Sequence, residues 1–156
     1  MSKRTSGPKR AIKRVRNRID HQMSSSASPI VLHAVEENMT LVRTIIDVNI
    51  RRRTAATGED DYDIVISKAP NAVTVAAPAL AQALDQNEPN EAIWRCAGGS
   101  GVVSASNEVP QFERIYRDIK GMRKLREDDN ITWSDIASTN NIYEVIGYVI
   151  LFFKMG

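Results

Sequence analysis

Cysteine is nearly absent: Cys96 is the only one in 156 residues. A lone thiol forms no intrachain disulfide and no thiolate metal cluster, and it suits a reducing compartment. Histidine is almost as scarce, and His21 and His33 are too few and too separated for a metal site. The longest apolar run, Val145–Phe153, falls well short of the ~20 residues that a membrane-spanning helix needs, so no membrane insertion is expected. The N-terminus carries charge where an export signal needs an apolar core, so the sequons at Asn38 and Asn130 carry no weight. Aromatic residues make up 6% of the chain and none lies in residues 1–28, which removes base stacking from that stretch. No P-loop, zinc motif, Ser/His/Asp order or catalytic carboxylate pair stands out. Neither an enzyme nor a cofactor or metal is expected.

What is present is charge, unevenly divided. The formal net charge of the whole chain is +2. Residues 1–28 carry Lys3, Arg4, Lys9, Arg10, Lys13, Arg14, Arg16 and Arg18 against the single acid Asp20, a net +7. Residues 29–156 carry 13 basic and 18 acidic residues, a net −5. A basic stretch on an acidic body implies an arm that binds nucleic-acid phosphates. Each Lys or Arg that meets a phosphate releases condensed counterions, so such binding ignores sequence and weakens with salt. A solubilising tail, or a nuclear import signal over Lys9–Arg18, is the plainer use of the same residues. Ser24–Pro29 reads as a linker, which divides the chain into a basic arm, 1–28, and a globular domain, 29–156. Ile12, Val15 and Ile19 fall at i, i+3 and i+7, a spacing that predicts a short amphipathic helix on contact with a polyanion. Free of one, the arm is expected to be disordered or extended.

From Pro29 onward the pattern has period two. Within 41–53, Val42, Thr44, Ile46, Val48 and Ile50 define one face, and Leu41, Arg43, Ile45, Asp47 and Asn49 the other. Such β-branched alternation predicts a half-buried strand. Further strands are expected at Tyr62–Lys68, Glu91–Ala97, Gln111–Lys120, Ile131–Ile136 and Ile142–Lys154. The last is apolar on both faces, which predicts a central strand covered on both sides. Pro78–Leu84 is the one convincing helix. About seven strands with one connecting helix indicate an all-β sandwich or barrel.

Secondary clusters carry less. Arg51, Arg52 and Arg53 form a possible second basic site, but successive strand residues point to opposite faces and cannot line one groove together. The acidic groups around Glu59–Asp63 and Glu127–Asp129 match no EF-hand and read as solvated turns. Gly98-Gly99-Ser100-Gly101 lacks the Lys-Ser/Thr ending of a phosphate cradle and reads as a flexible turn. Cys96 reads as a small core residue.

Tyr116-Arg117-Asp118-Ile119-Lys120-Gly121-Met122-Arg123-Lys124-Leu125 leads into the acidic turn Glu127-Asp128-Asp129. A strand, a polar loop and a terminal apolar strand ending Phe152-Phe153-Lys154 follow. This pattern resembles the capsid proteins of small circular single-stranded DNA viruses that encode a replication initiator, the CRESS-DNA group. The stretch Thr40–Ile46, the small-residue helix followed by Trp94, and the basic N-terminus are similar to that family as well. The resemblance implies a single jelly roll of eight antiparallel strands that assembles with its own copies into a small icosahedral shell. It places the arm inside, on packaged single-stranded DNA, and the protein in the virion and, during assembly, the host nucleus. One strand beyond the seven is then expected in Pro29–Val35 or Asn71–Ala77. Deleting residues 1–28 is expected to leave a shell that assembles empty. The rival is a cellular nucleic-acid-binding β-barrel protein, a chaperone or ribonucleoprotein component, with Tyr116, Trp133 and Tyr143 stacking bases.

Overall fold

The structure, a computed structural model, describes residues 11–26, 29–52, 60–69, 91–100, 111–138, 140 and 142–155. Eight strands run through them: β1 (Ile12–Gln22), β2 (Ile30–Ala34), β3 (Met39–Arg52), β4 (Asp60–Ala69), β5 (Glu91–Ser100), β6 (Gln111–Leu125), β7 (Asn130–Ala137) and β8 (Tyr143–Met155). They form two four-stranded sheets, ordered β1-β8-β3-β6 and β2-β7-β4-β5. All pairings are antiparallel, and they nest: β1 with β8, β2 with β7, β3 with β6, β4 with β5. The contacts of β3 with β8 and of β4 with β7 close each sheet. A long hairpin rolled up in this way is a jelly roll. The strand expected within Pro29–Val35 is β2. The helix expected over Pro78–Leu84 lies outside the described residues, as do Asn71–Ala77 and Arg53.

Alternation fixes which face each strand buries. In β3, Thr44, Ile46, Val48 and Ile50 point into the sandwich as their spacing predicts. Leu41 and Met39 are buried with them, against the expected parity. The reason is a register shift between Leu41 and Arg43, where one extra residue reverses the phase of the strand. Facing β3 across the core are Tyr62, Ile64 and Ile66 of β4 and Ile131 and Trp133 of β7, all buried.

Two glycines permit close approaches. A Cβ at Gly147, in the middle of β8, would lie 2.1 Å from the Asp47 carbonyl oxygen and 2.5 Å from Val48 Cα. Backbone on β3 occupies that space, so only glycine fits. Gly98 was expected in a flexible turn, but it lies inside β5, where a Cβ would fall 2.4 Å from the Tyr62 hydroxyl. The glycine makes room for a ring, and the Tyr62 hydroxyl donates to Glu113 at 3.0 Å.

Of the two states expected for the N-terminal stretch, its described part takes the extended one. Residues 12–22 form neither a helix nor a loose tail: they are an edge strand, paired with β8 from Ile12–Lys154 to Gln22–Glu144. Ile19 is buried and Val15 packs against the core. Val15 and Ile19 also fit period two, together with Asn17 and His21, and the sheet offers pairing partners that an isolated helix lacks. The composition boundary at residue 28 therefore does not coincide with the start of the sandwich.

Candidate nucleic-acid interface

Period two sorts the arm's charges. Arg14, Arg16 and Arg18 sit at alternate positions and share the outer face of β1, all exposed. Lys13 lies on the other side, opposite Phe153, and stays exposed at the end of the sandwich. Lys3, Arg4, Lys9 and Arg10 lie outside the described residues. Of the second cluster, Arg51 is exposed on the outer face and Arg52 is buried, as strand alternation requires.

Residues directly opposite on neighbouring strands share a face, so the register lays out the outer surface of this sheet in rows. Arg14, Phe152, Arg43 and Lys120 form one row, and Arg16, Ile150, Ile45 and Asp118 the next. Arg18, Tyr148, Asp47 and Tyr116 form a third, followed by Asp20, Ile146, Asn49 and Arg114. Both faces of β8 were expected to be covered. Instead Ile146 and Tyr148 are exposed, at 38% and 36%, while Tyr143, Val145, Val149, Leu151 and Phe153 fill the core. The apolar character of the outer face of β8 is therefore surface, flanked by the arginines of β1.

Charge on this surface is asymmetric. On the β3–β6 side, Arg43 grips Asp118 with Nε–Oδ1 at 2.9 Å and a second bond at 2.6 Å. Arg114 holds Asp47 in the same two-pronged way, at 3.0 and 3.1 Å. The Arg43 guanidinium keeps the Asp118 carboxyl below its usual range through that hydrogen bond. These pairs balance their own charge. On the β1 side Arg18 meets Asp20 at 3.1 Å, with both side chains largely in solvent. The Arg16 guanidinium carbon lies over the Tyr148 ring, 3.8 Å from its centroid, and Arg14 has no acidic partner among the described residues. The cationic excess thus follows β1, beside the exposed Tyr148 ring of β8.

Among the described residues, the other sheet has no such surface at its centre. On the outer side of β4 and β7, Asp63, Ser67, Thr132 and Ser134 are buried. Burial raises the Asp63 pKa, against the effect of Arg95 at 3.5 Å. Of the three rings proposed for stacking, Tyr116 is 48% exposed, but Trp133 and Tyr143 are buried and cannot meet a base. Sequence reasoning missed Tyr148. Its signal was the excess of apolar residues on the second face of β8. The acidic turn at 127–129 is structural: Asp129 accepts the Arg126 backbone N–H at 2.7 Å, and Asp128 takes the left-handed conformation at φ 73°.

A part-buried polar contact ties β1 to the opposite sheet. His21 Nε2 hydrogen-bonds Asp135 Oδ2, and the same oxygen accepts the Trp133 indole N–H at 2.7 Å. Asp135 is 4% exposed. The hydrogen bond to Asp135 raises the His21 pKa above its ordinary value, overcoming the opposing effect of burial.

No family model and no curated protein matches this chain. Among solved structures, one described as the structure of Eiger TNF from S. frugiperda is similar over 89% of this chain and 93% of its own. The identity is 10% and the TM-score 0.40, and a likeness of that degree carries no argument about function. Among the described residues no helix is long and apolar enough to cross a membrane.

Proposed function

We propose that this chain is the capsid subunit of a small single-stranded DNA virus, which assembles with its own copies and gathers the packaged strand through its basic N-terminal residues. The observation that carries the reading is the run of basic residues from Lys3 to Arg18, which leads into an edge strand with Arg14, Arg16 and Arg18 on one exposed face. A jelly roll by itself hosts many functions. What singles out packaging is cationic excess confined to one end of a chain whose remaining 128 residues are net negative. A single copy holds DNA weakly. Many copies around one cavity raise the local concentration of cations, and weak contacts become avid. The resemblance of Tyr116–Leu125 and the terminal strand to capsid proteins of the CRESS-DNA group supports the same reading. Shell interfaces would use aromatic and arginine anchors.

The role of β1 alters how packaging is to be tested. Deleting residues 1–28 would strip an edge strand and expose β8, so an empty shell is not the expected result. Neutralising the basic residues leaves the strand in place. Electron microscopy of the purified full chain tests assembly: uniform closed particles are expected, and a monomer at every salt and pH overturns the reading. The cellular nucleic-acid-binding protein shares the cationic face but does not form closed shells.

A further inference from the structure

We infer that the outer face of the β1-β8-β3-β6 sheet is a stacking platform for unpaired nucleobases, with Tyr148 as its principal ring and Tyr116 as a second. The inference rests on the nucleic-acid reading above and deepens it: the ligand is single-stranded, held by base stacking as well as by phosphate contacts.

Several observations converge on Tyr148. Its ring is 36% exposed in the middle of a strand whose other face is the core, so its backbone is fixed while its ring meets solvent. Arg14, Arg16 and Arg18 run beside it on β1 at alternate positions, about 6.8 Å apart. A strand of nucleic acid laid along β1 would place its phosphates on these guanidiniums and its bases towards β8. The Arg16 guanidinium, its carbon 3.8 Å from the Tyr148 ring centroid, extends the platform, because bases stack on guanidinium groups as well as on aromatic rings. Ile150 in the adjoining row and Phe152 one row further, both half-buried, supply apolar surface on one side of it. Tyr116 is 48% exposed and lies in the same row as Tyr148, about 10 Å away across β3.

Charge decides between occupants. The β1 side of the face carries Arg14 and Arg16 with no acid to balance them among the described residues, and Lys3, Arg4, Lys9 and Arg10 precede them in the sequence. A second copy docked by the same face offers them no free acid in these rows, because Asp20, Asp47 and Asp118 are already paired with Arg18, Arg114 and Arg43. A polyanion neutralises Arg14 and Arg16. Paired bases hide their faces in the duplex, so exposed rings select single strands.

The test compares the full chain with Tyr148→Leu, Tyr116→Leu and Tyr148→Phe. Binding of a labelled oligothymidine and of a hairpin duplex is titrated at several salt concentrations. Tyr148→Leu should weaken single-strand binding by roughly 5- to 150-fold, leave duplex binding unchanged, and leave the salt slope unchanged because no phosphate contact is lost. Tyr116→Leu should do the same to a smaller degree, and Tyr148→Phe should retain wild-type affinity. Thermal midpoints confirm that the exposed substitutions fold. If the wild type binds with a salt slope and both leucine variants match it, the platform is refuted while the phosphate contacts stand. A wild type that binds neither oligonucleotide overturns both readings. If Tyr148→Leu changes sedimentation but not affinity, the face belongs to a second copy and the inference fails.

Discussion

Replacing Arg14, Arg16 and Arg18 together by glutamine separates a phosphate track from a merely soluble edge. The three side chains share one exposed face of β1, and none contributes to the core. Glutamine keeps a polar, though shorter, side chain and removes the charge. For single strands, each phosphate contact contributes about 0.7 to the slope of log affinity against log salt. Arg14 and Arg16 should contribute fully, while Arg18, paired with Asp20 at 3.1 Å, gives part of its charge to that carboxylate. The slope should therefore fall by between about 1.4 and about 2.1. Between about 50 and about 200 mM salt, the wild type should lose about 7- to 18-fold more affinity than the triple variant. Fluorescence anisotropy of a labelled oligothymidine across a salt series measures this directly. Charged residues on an edge strand also block edge-to-edge pairing between molecules. If that is their only role, the triple variant will self-associate while its salt slope stays at the wild-type value. An unchanged slope refutes the track.

Three other predictions concern the scaffold that presents this face. Gly147→Ala forces a methyl group into the β3 backbone at Asp47 and Val48 and should cost about 1–3 kcal/mol; a thermal midpoint equal to wild type would refute the close approach. The raised His21 pKa means that the folded state holds its proton more tightly. Its stabilisation is complete below the ordinary value of 6.5 and is lost as pH rises through the raised one, so His21→Gln should abolish that alkaline loss in urea midpoints measured against pH. His33 acts in the opposite sense. Burial first, and then Lys13, lower its pKa, so its contribution is lost as pH falls through the lowered value, and His33→Gln should flatten the acid side. A His21→Gln profile identical to wild type would show that the bond to Asp135 does not couple β1 to the second sheet.

Much of the sandwich was legible: β3 and β6 were placed by period two, and β4, β5, β7 and β8 as short β-branched or apolar runs, each within about five residues of its observed ends. What was hidden depended on pairing between distant segments. Five residues of β2 are too few to set a period, and their hydrogen bonds go to β7, almost a hundred positions away. Ile12, Val15 and Ile19 suited a helical spacing, and only β8 beside them selects the strand. The face of β8 was misjudged for a related reason. Apolar residues on both sides of a strand imply cover on both sides unless one side has a use in solvent, and composition alone does not distinguish the two. The cations at Arg14, Arg16 and Arg18 were identified as an arm. Their alignment on one face beside Tyr148 followed only from the register. Trp133 and Tyr143 show the converse: an aromatic in an alternating strand belongs to the core unless its parity places it outside.

The central claim is that this jelly roll builds a closed shell around single-stranded DNA. Negative-stain electron microscopy of the purified full chain, over a range of salt and pH and after nuclease treatment, tests it most directly. The account predicts uniform closed particles that protect nucleic acid, and equally uniform but empty particles when the basic residues from Lys3 to Arg18 are neutralised. A chain that stays monomeric under every condition, while still binding oligonucleotides, would contradict it.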